Sequence, residues 1–171
     1  DDNSPDGTYD AVLSAFVSDH RVKPLLRTSN KGFAKSIYDG ISKSNGEYVL
    51  VMDTDLTHDP SDIPSLLHVA EIYDVVSASR FCSGGRMTSN FHYFSSFAYN
   101  LLLRIILGTQ VQDNLGGFFV AKRADILSLR CDSIFYGYGE YYFRLLYTLK
   151  RTGRSIVEIP SLYLDRGSGK S

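Results

Sequence analysis

The sequence predicts an α/β sandwich around a mostly parallel sheet, and three observations carry that prediction. Short apolar, β-branched runs alternate along the chain with segments whose apolar residues recur at helical spacing. One run, "EYVLVMD", is apolar almost throughout, as a strand covered on both faces must be. At 171 residues, with no internal repeat and no low-complexity linker, the chain suits one domain around a single core.

In chain order, "VKPLLR" reads as a short strand whose pairing Pro24 makes imperfect. "FAKSIYDGISKS" has the apolar spacing of a helix, with Gly46 beyond it as a stop. The buried strand "EYVLVMD" follows. "DPSDIPSLLHVAEI" reads as a helix capped by Asp59 or Ser61, and "YDVVSASR" as a second β-branched strand. "FHYFSSFAYNLLLRIIL" is a long helix stopped by Gly108. "GGFFVAKR" reads as a strand, "ADILSL" as a short helix, "GEYYFRLLYTLKRTG" as an amphipathic helix and "SIVEIPSLYLD" as one final strand. In sheets of this kind ligands bind beyond the carboxyl ends of the strands, where Asp53, Asp55 and Arg80 fall.

Composition narrows the classes. A formal net charge of -1 gives no reason to expect a nucleic-acid partner. Cys82 and Cys131 have no partner at metal-ligand spacing and suit a reducing compartment. The chain opens on "DDNSPDGT" without the apolar run of a secretory signal. Its greasiest segment, "LLLRIILG", is too short to span a bilayer and carries Arg104.

The chemistry centres on "DTD". Two carboxylates one residue apart at the rim of a buried strand repel each other unless a cation sits between them. Paired carboxylate oxygens with open positions suit Mg²⁺ or Mn²⁺, which are commonly shared with substrate phosphates. Such an ion would hold a diphosphate and neutralise the charge that grows on it as it leaves. Other polar segments fit around this pair. "SNKGFAKS" sets Lys31 before Gly32 at a helix mouth, where a cation and free N–H groups could face an anion. "DNLGGFF" joins Asp113 to a glycine pair that permits close backbone approach. The tail "DRGSGKS" offers Arg166 and Lys170 among small residues.

Taken in order, "DDNSPDGT", "NKGFAKSIYDGI", "VLVMDTDLTH", "VVSASRF", "QDNLGGFFVAKRADIL", "VEIP" and "DRGSGKS" resemble glycosyltransferase family 2, in particular its dolichyl-phosphate mannose synthase branch. The resemblance implies a glycosyltransferase A-type, Rossmann-like fold, a nucleotide-sugar donor, a divalent metal (Mg²⁺ or Mn²⁺) and inversion at the anomeric carbon. It implies that Asp53 and Asp55 hold the metal and that Asp2, Lys31, Asp53 and Arg80 bind the nucleotide sugar. Asp55, Asp113 and Arg166 would be the catalytic residues, with Arg166 and Lys170 facing the acceptor phosphate. The pattern departs from the family at Thr57, commonly Gln, at "GGF" for "SGF", and in a helix that has His92 where an arginine pair is common. It further implies that residues 1–171 are one catalytic domain trimmed at both ends. A missing first strand would then lie beside "EYVLVMD".

The expected activity is transfer of a hexosyl group, mannose from GDP-mannose before glucose from UDP-glucose, to dolichyl or another polyprenyl phosphate. The expected place is cytoplasmic, at the cytoplasmic face of a membrane whose surface the whole protein meets. A phosphate acceptor is already an anion, so no general base is needed. A second hypothesis is a transferase using a UDP-sugar and a sugar hydroxyl, which does need a base, Asp113 or Glu140 being the candidates. A third is an inactive nucleotide-sugar-binding module.

Overall fold

The structure, a computed structural model, describes residues 1–88 and 90–164, with the backbone alone over 90–93. The chain opens with a helix that the sequence pattern does not announce, α1 (Thr8–Ala15). It follows Gly7, whose backbone is left-handed at φ 76°, and it buries none of its residues, so it carries little apolar periodicity. "VKPLLR", expected as a strand, runs without joining a sheet. Its backbone is tied to Asp1 instead: the Asp1 amino group donates to the Leu25 carbonyl at 2.8 Å, and the Arg27 N–H donates to the Asp1 carbonyl at 2.8 Å.

Helix α2 (Phe33–Lys43) buries Ala34 and Ile41 and leads to β1 (Tyr48–Val51). The expected helix from Asp59 is split. Asp59 accepts the Ser61 N–H at 2.8 Å and caps a 3-10 turn, Pro60–Asp62, before α3 (Ile63–Ala70). Strand β2 (Val75–Ser79) is buried throughout, and the two-residue β3 (Arg86–Met87) follows. Helix α4 (Asn90–Leu107) ends at Gly108, left-handed at φ 61°. Then come β4 (Phe119–Lys122), α5 (Arg123–Leu127), α6 (Tyr141–Arg151), β5 (Ile156–Pro160) and β6 (Leu162–Tyr163). The expected single final strand is thus broken after Pro160, which has no N–H to donate. Beyond it, β6 leaves to pair with β3 in a separate two-stranded ribbon.

The main sheet has the order β1-β4-β2-β5. Strands β1, β2 and β5 run one way and β4 runs against them, wedged between β1 and β2. The sheet is therefore mixed. The parallel character expected from the alternation of elements holds for β2 beside β5, whereas both ladders of β4 are antiparallel. Alternate side chains divide the core between two layers. Val75, Phe119 and Ala121 face α2 and α6 with Tyr142, Leu145 and Leu149, while Val76 and Val120 face α3 with Leu66 and Ala70.

Strand β1 stands at an edge of this sheet, paired with β4 on one side. On its other side a groove of about 350 Å³ runs between β1 and α2, floored by Ile37, Ile41 and the strand itself. An apolar strand edge with unpaired backbone groups is a template for other chains, each buried unpaired group costing roughly 1–3 kcal/mol. Residues 1–171 are therefore expected to self-associate through this edge, and sedimentation over a range of concentrations tests this. A protein that stays monomeric throughout would rule the open edge out as a weakness.

Candidate active site

The reversal of β4 makes the site. The carboxyl ends of β1 and β2 lie at one rim of the sheet, and because β4 runs the other way, the loop before it arrives at that same rim. Asp53–Asp55 after β1, Arg80 after β2 and Asp113–Gly117 before β4 are thereby brought together. In an all-parallel sheet the last of these would lie at the opposite edge.

A cleft of about 340 Å³ opens there. Asp53, Thr54 and Asp55 form one wall, Leu115–Gly117 another, and Phe33, Tyr138 and Tyr141 an aromatic third. Phe33 and Tyr138 touch with ring centroids 4.7 Å apart. Gly116 has no room for a side chain: a Cβ there would sit 2.8 Å from the Tyr163 hydroxyl and 3.3 Å from the Ala78 carbonyl oxygen. The Asp53 side chain is 41% exposed, facing solvent rather than core. Asp55 Oδ1 accepts from the Thr57 N–H at 3.1 Å and the Thr57 hydroxyl at 2.7 Å, so Thr57 orients a carboxylate rather than extending past it. Leu56 between them is left-handed at φ 64°, a conformation that costs a non-glycine residue on the order of 1 kcal/mol. His58, buried on β4 and β6, accepts the Asp53 N–H at Nδ1 (3.0 Å), and burial holds its imidazole below the usual range despite Asp53 and Asp55.

Behind the rim lies a buried ion pair. Asp113, fully buried, accepts from Arg80 at Nε (2.8 Å), at Nη2 (2.8 Å) and at its backbone N–H (3.1 Å). The guanidinium lies 4.9 Å from the Tyr163 ring centroid and 5.1 Å from that of Phe81. Burial works to lower the Arg80 pKa, and Asp113 more than offsets it. Glu158 of β5 accepts the Gln112 and Asp113 N–H groups at 2.7 and 2.8 Å, and Asn100 of α4 accepts the Asn114 N–H at 2.7 Å. Asp113 and Arg80, read from the sequence as a catalytic and a donor-binding residue, are thus bound to each other, and neither lines the cleft.

Asp2 accepts the Gly32 N–H at the start of α2 (2.7 Å) and pairs with Arg27. Burial works against its charge, but the Gly32 N–H and Arg27 outweigh it and hold the carboxyl below the usual range. Arg27 is buried, and besides Asp2 it donates to Asp39 at 2.7 Å and to the Asn30 carbonyl at 2.6 Å. Lys31 is exposed just before α2, outside the cleft lining. Glu140 is exposed, accepts the Tyr138 N–H at 2.8 Å and does not line the cleft. Arg166 and Lys170 lie outside the described residues, as does the His92 side chain.

The carboxylates fit a hard divalent cation. Among the described residues no cluster of three or more His, Cys, Asp or Glu side chains forms a closed cage. Two carboxylates on an open cleft are what Mg²⁺ or Mn²⁺ takes when water and phosphate complete its shell.

Residues 1–129 match the glycosyl transferase family 2. The chain is 35% identical, over its whole length and 72% of the relative's, to an undecaprenyl-phosphate mannosyltransferase of Micrococcus luteus. It is 27% identical to a dolichol-phosphate mannosyltransferase of Pyrococcus furiosus, again over its whole length, and there spans 48% of the relative. Among solved structures, it superimposes over its whole length on 59% of glucosyl-3-phosphoglycerate synthase from Mycobacterium tuberculosis in complex with Mn²⁺ and UDP-glucose, with a TM-score of 0.69 at 19% identity.

Proposed function

Because this chain belongs to glycosyl transferase family 2, we propose that it transfers a hexosyl group, with inversion, from a nucleotide sugar to a polyprenyl phosphate. The observation that carries this reading is the cleft lining: Asp53 and Asp55 are its carboxylates, and Asp113 and Glu140 stand outside it. With the pair committed to a metal, no carboxylate of the lining is left among the described residues to deprotonate a hydroxyl. An acceptor that is already anionic, as a lipid phosphate is at neutral pH, needs none. Mannose is the favoured sugar, since the relatives named above are mannosyltransferases, and GDP-mannose the favoured donor. UDP-glucose, which the superimposed synthase holds, comes second.

In this reading Asp53 and Asp55 hold a divalent ion against the donor diphosphate, and the ion supplies charge neutralisation to the leaving group. Gly116 and Gly117 let the substrate come against backbone, while the Arg80–Asp113 pair and Glu158 hold their loop in place. Asp2 and Lys31 border the nucleotide, Asp2 fixed there by Arg27. Arg166 and Lys170 complete the acceptor side. Residues 1–171 act as one catalytic domain.

The lipid also has a surface to meet. Helix α4 exposes Phe94, Phe97, Leu101 and Ile105, spaced along one face, and Asn100 bonds it to the loop behind the cleft. No helix of the described residues is long and apolar enough to cross a membrane. Such a face suits lying on a bilayer, which we place on the cytoplasmic side.

The test offers the full-length protein a panel of nucleotide sugars with and without polyprenyl phosphate. The expected result is metal-dependent mannosyl transfer to the lipid with inverted configuration. Transfer from a UDP-sugar to a sugar hydroxyl, with none to lipid phosphate, would overturn the reading. Within it, Glu140→Gln is expected to change turnover little, because no proton has to be removed. Loss of a general base costs about 10²–10⁴-fold, and a drop of that size in steady-state rate would restore the hydroxyl acceptor.

A further inference from the structure

The loop that carries Asp53 and Asp55 contains a residue in an unfavourable conformation, Leu56 at φ 64°, so its shape depends on what holds its ends. Thr57 ties the middle through Asp55. The far end is held by His58. Its ring stacks on Phe118 (centroids 4.9 Å apart, planes 14° apart) and meets Tyr163 edge-on at 4.7 Å. Its backbone bridges to Tyr163, and the Leu164 N–H donates to the Thr57 carbonyl at 3.0 Å. From this seat, in contact with β4 and β6, the imidazole reaches back five residues to take the Asp53 N–H at Nδ1, 3.0 Å away. To accept there, Nδ1 must be without a proton, which leaves the neutral ring's proton on Nε2, 4.0 Å from Asp53 Oδ2.

We propose that His58 is a positioning residue for the two carboxylates: its Nδ1 lone pair fixes the Asp53 backbone and so sets where both carboxylates present their oxygens to a divalent ion. Its ring, stacked on Phe118 directly after the Leu115–Gly117 wall, also joins the loop of Asp53 and Asp55 to that wall of the cleft. This rests on the reading that Asp53 and Asp55 hold such an ion. His58 touches neither metal nor substrate in it.

Two substitutions in the full-length protein separate positioning from packing. His58→Phe keeps a flat ring between Phe118 and Tyr163 but has no acceptor. His58→Asn puts an oxygen near the place of Nδ1 but gives up the ring. Thermal midpoint and Mn²⁺ affinity are measured for each, the latter from the resonance of free Mn²⁺ in the presence of GDP and again of UDP. The two rankings are expected to cross. Phe should be the more stable variant yet bind Mn²⁺ about 10-fold or more weakly than the unmodified protein, while Asn should be less stable yet stay within about threefold of it. If affinity follows stability, with Phe the better binder, His58 is only packing and the proposal is overturned. The ¹⁵N spectrum of His58 in the unmodified protein decides independently of both variants. An unprotonated Nδ1 with a protonated Nε2 is expected, and a protonated Nδ1 overturns the proposal. If the unmodified protein takes up no Mn²⁺ with either nucleotide, the metal reading fails, and the tautomer still settles what His58 does for Asp53.

Discussion

Asp55→Asn is expected to abolish transfer while leaving the fold in place. The side-chain oxygen of Asn can keep the turn, since it can accept from the Thr57 N–H and hydroxyl as Asp55 Oδ1 does at 3.1 and 2.7 Å. What it loses is the charge. A divalent ion held by two carboxylates loses one of its two anionic protein ligands, and with it much of the hold on the departing diphosphate. Such Lewis-acid stabilisation amounts to several kcal/mol, and each factor of ten in rate corresponds to about 1.4 kcal/mol, so the rate should fall by at least about 10²-fold. Stability should move the other way or not at all, because one of two like charges at the rim has gone. Turnover at saturating donor and Mn²⁺, set beside the thermal midpoint, checks both halves. Undiminished turnover in the variant, or in excess chelator, would remove the metal from the mechanism.

That Asp55 is legible in the sequence, while much of its support is not, has a physical reason. A charge pair at the end of an apolar run is a local anomaly, visible within "VLVMDTD". The strand and helix patterns behind β1, β2, α2 and α6 are local too, and the structure has those elements where the apolar spacing puts them. The direction of β4 is not local. "GGFFVAKR" says strand, but nothing in eight residues says which way it runs between β1 and β2. Arg27 escapes for a similar reason, since its partners Asp2 and Asp39 stand 25 and 12 residues away. Helix α1 escapes because it buries nothing. His58 stands inside the quoted motif, and its role becomes visible only once Phe118 and Tyr163 close over it. Arg80 and Asp113 were each legible as charges near the site, though not as partners 33 residues apart.

That pairing gives the largest expected effect on stability. Asp113→Asn preserves shape, but its single oxygen can serve the Arg80 N–H or the Leu115 N–H and not both, since Asp113 takes them on different oxygens, and the guanidinium, with 9% of its side chain exposed, is left without a counter-charge. Breaking a buried pair from one side costs roughly 3–5 kcal/mol, because the remaining ion has lost water and partner alike. In a domain of this size each kcal/mol moves the thermal midpoint by about 2–4 °C, so a fall on the order of 10 °C is expected. The double variant Arg80→Met/Asp113→Asn removes the stranded charge and should recover most of that loss, since an apolar replacement is often neutral or better than a buried ion pair. Donor affinity then separates the two roles open to Arg80. If the pair serves to hold the Asp113–Gly117 loop, affinity measured by calorimetry returns with stability in the double variant, and this is the expected result. If the guanidinium itself meets the donor phosphates, as the family resemblance implies, the double variant will be stable and still fail to bind. Denaturant unfolding and donor titration on the same three proteins are sufficient to decide, because the first reads the buried charge and the second reads the cleft.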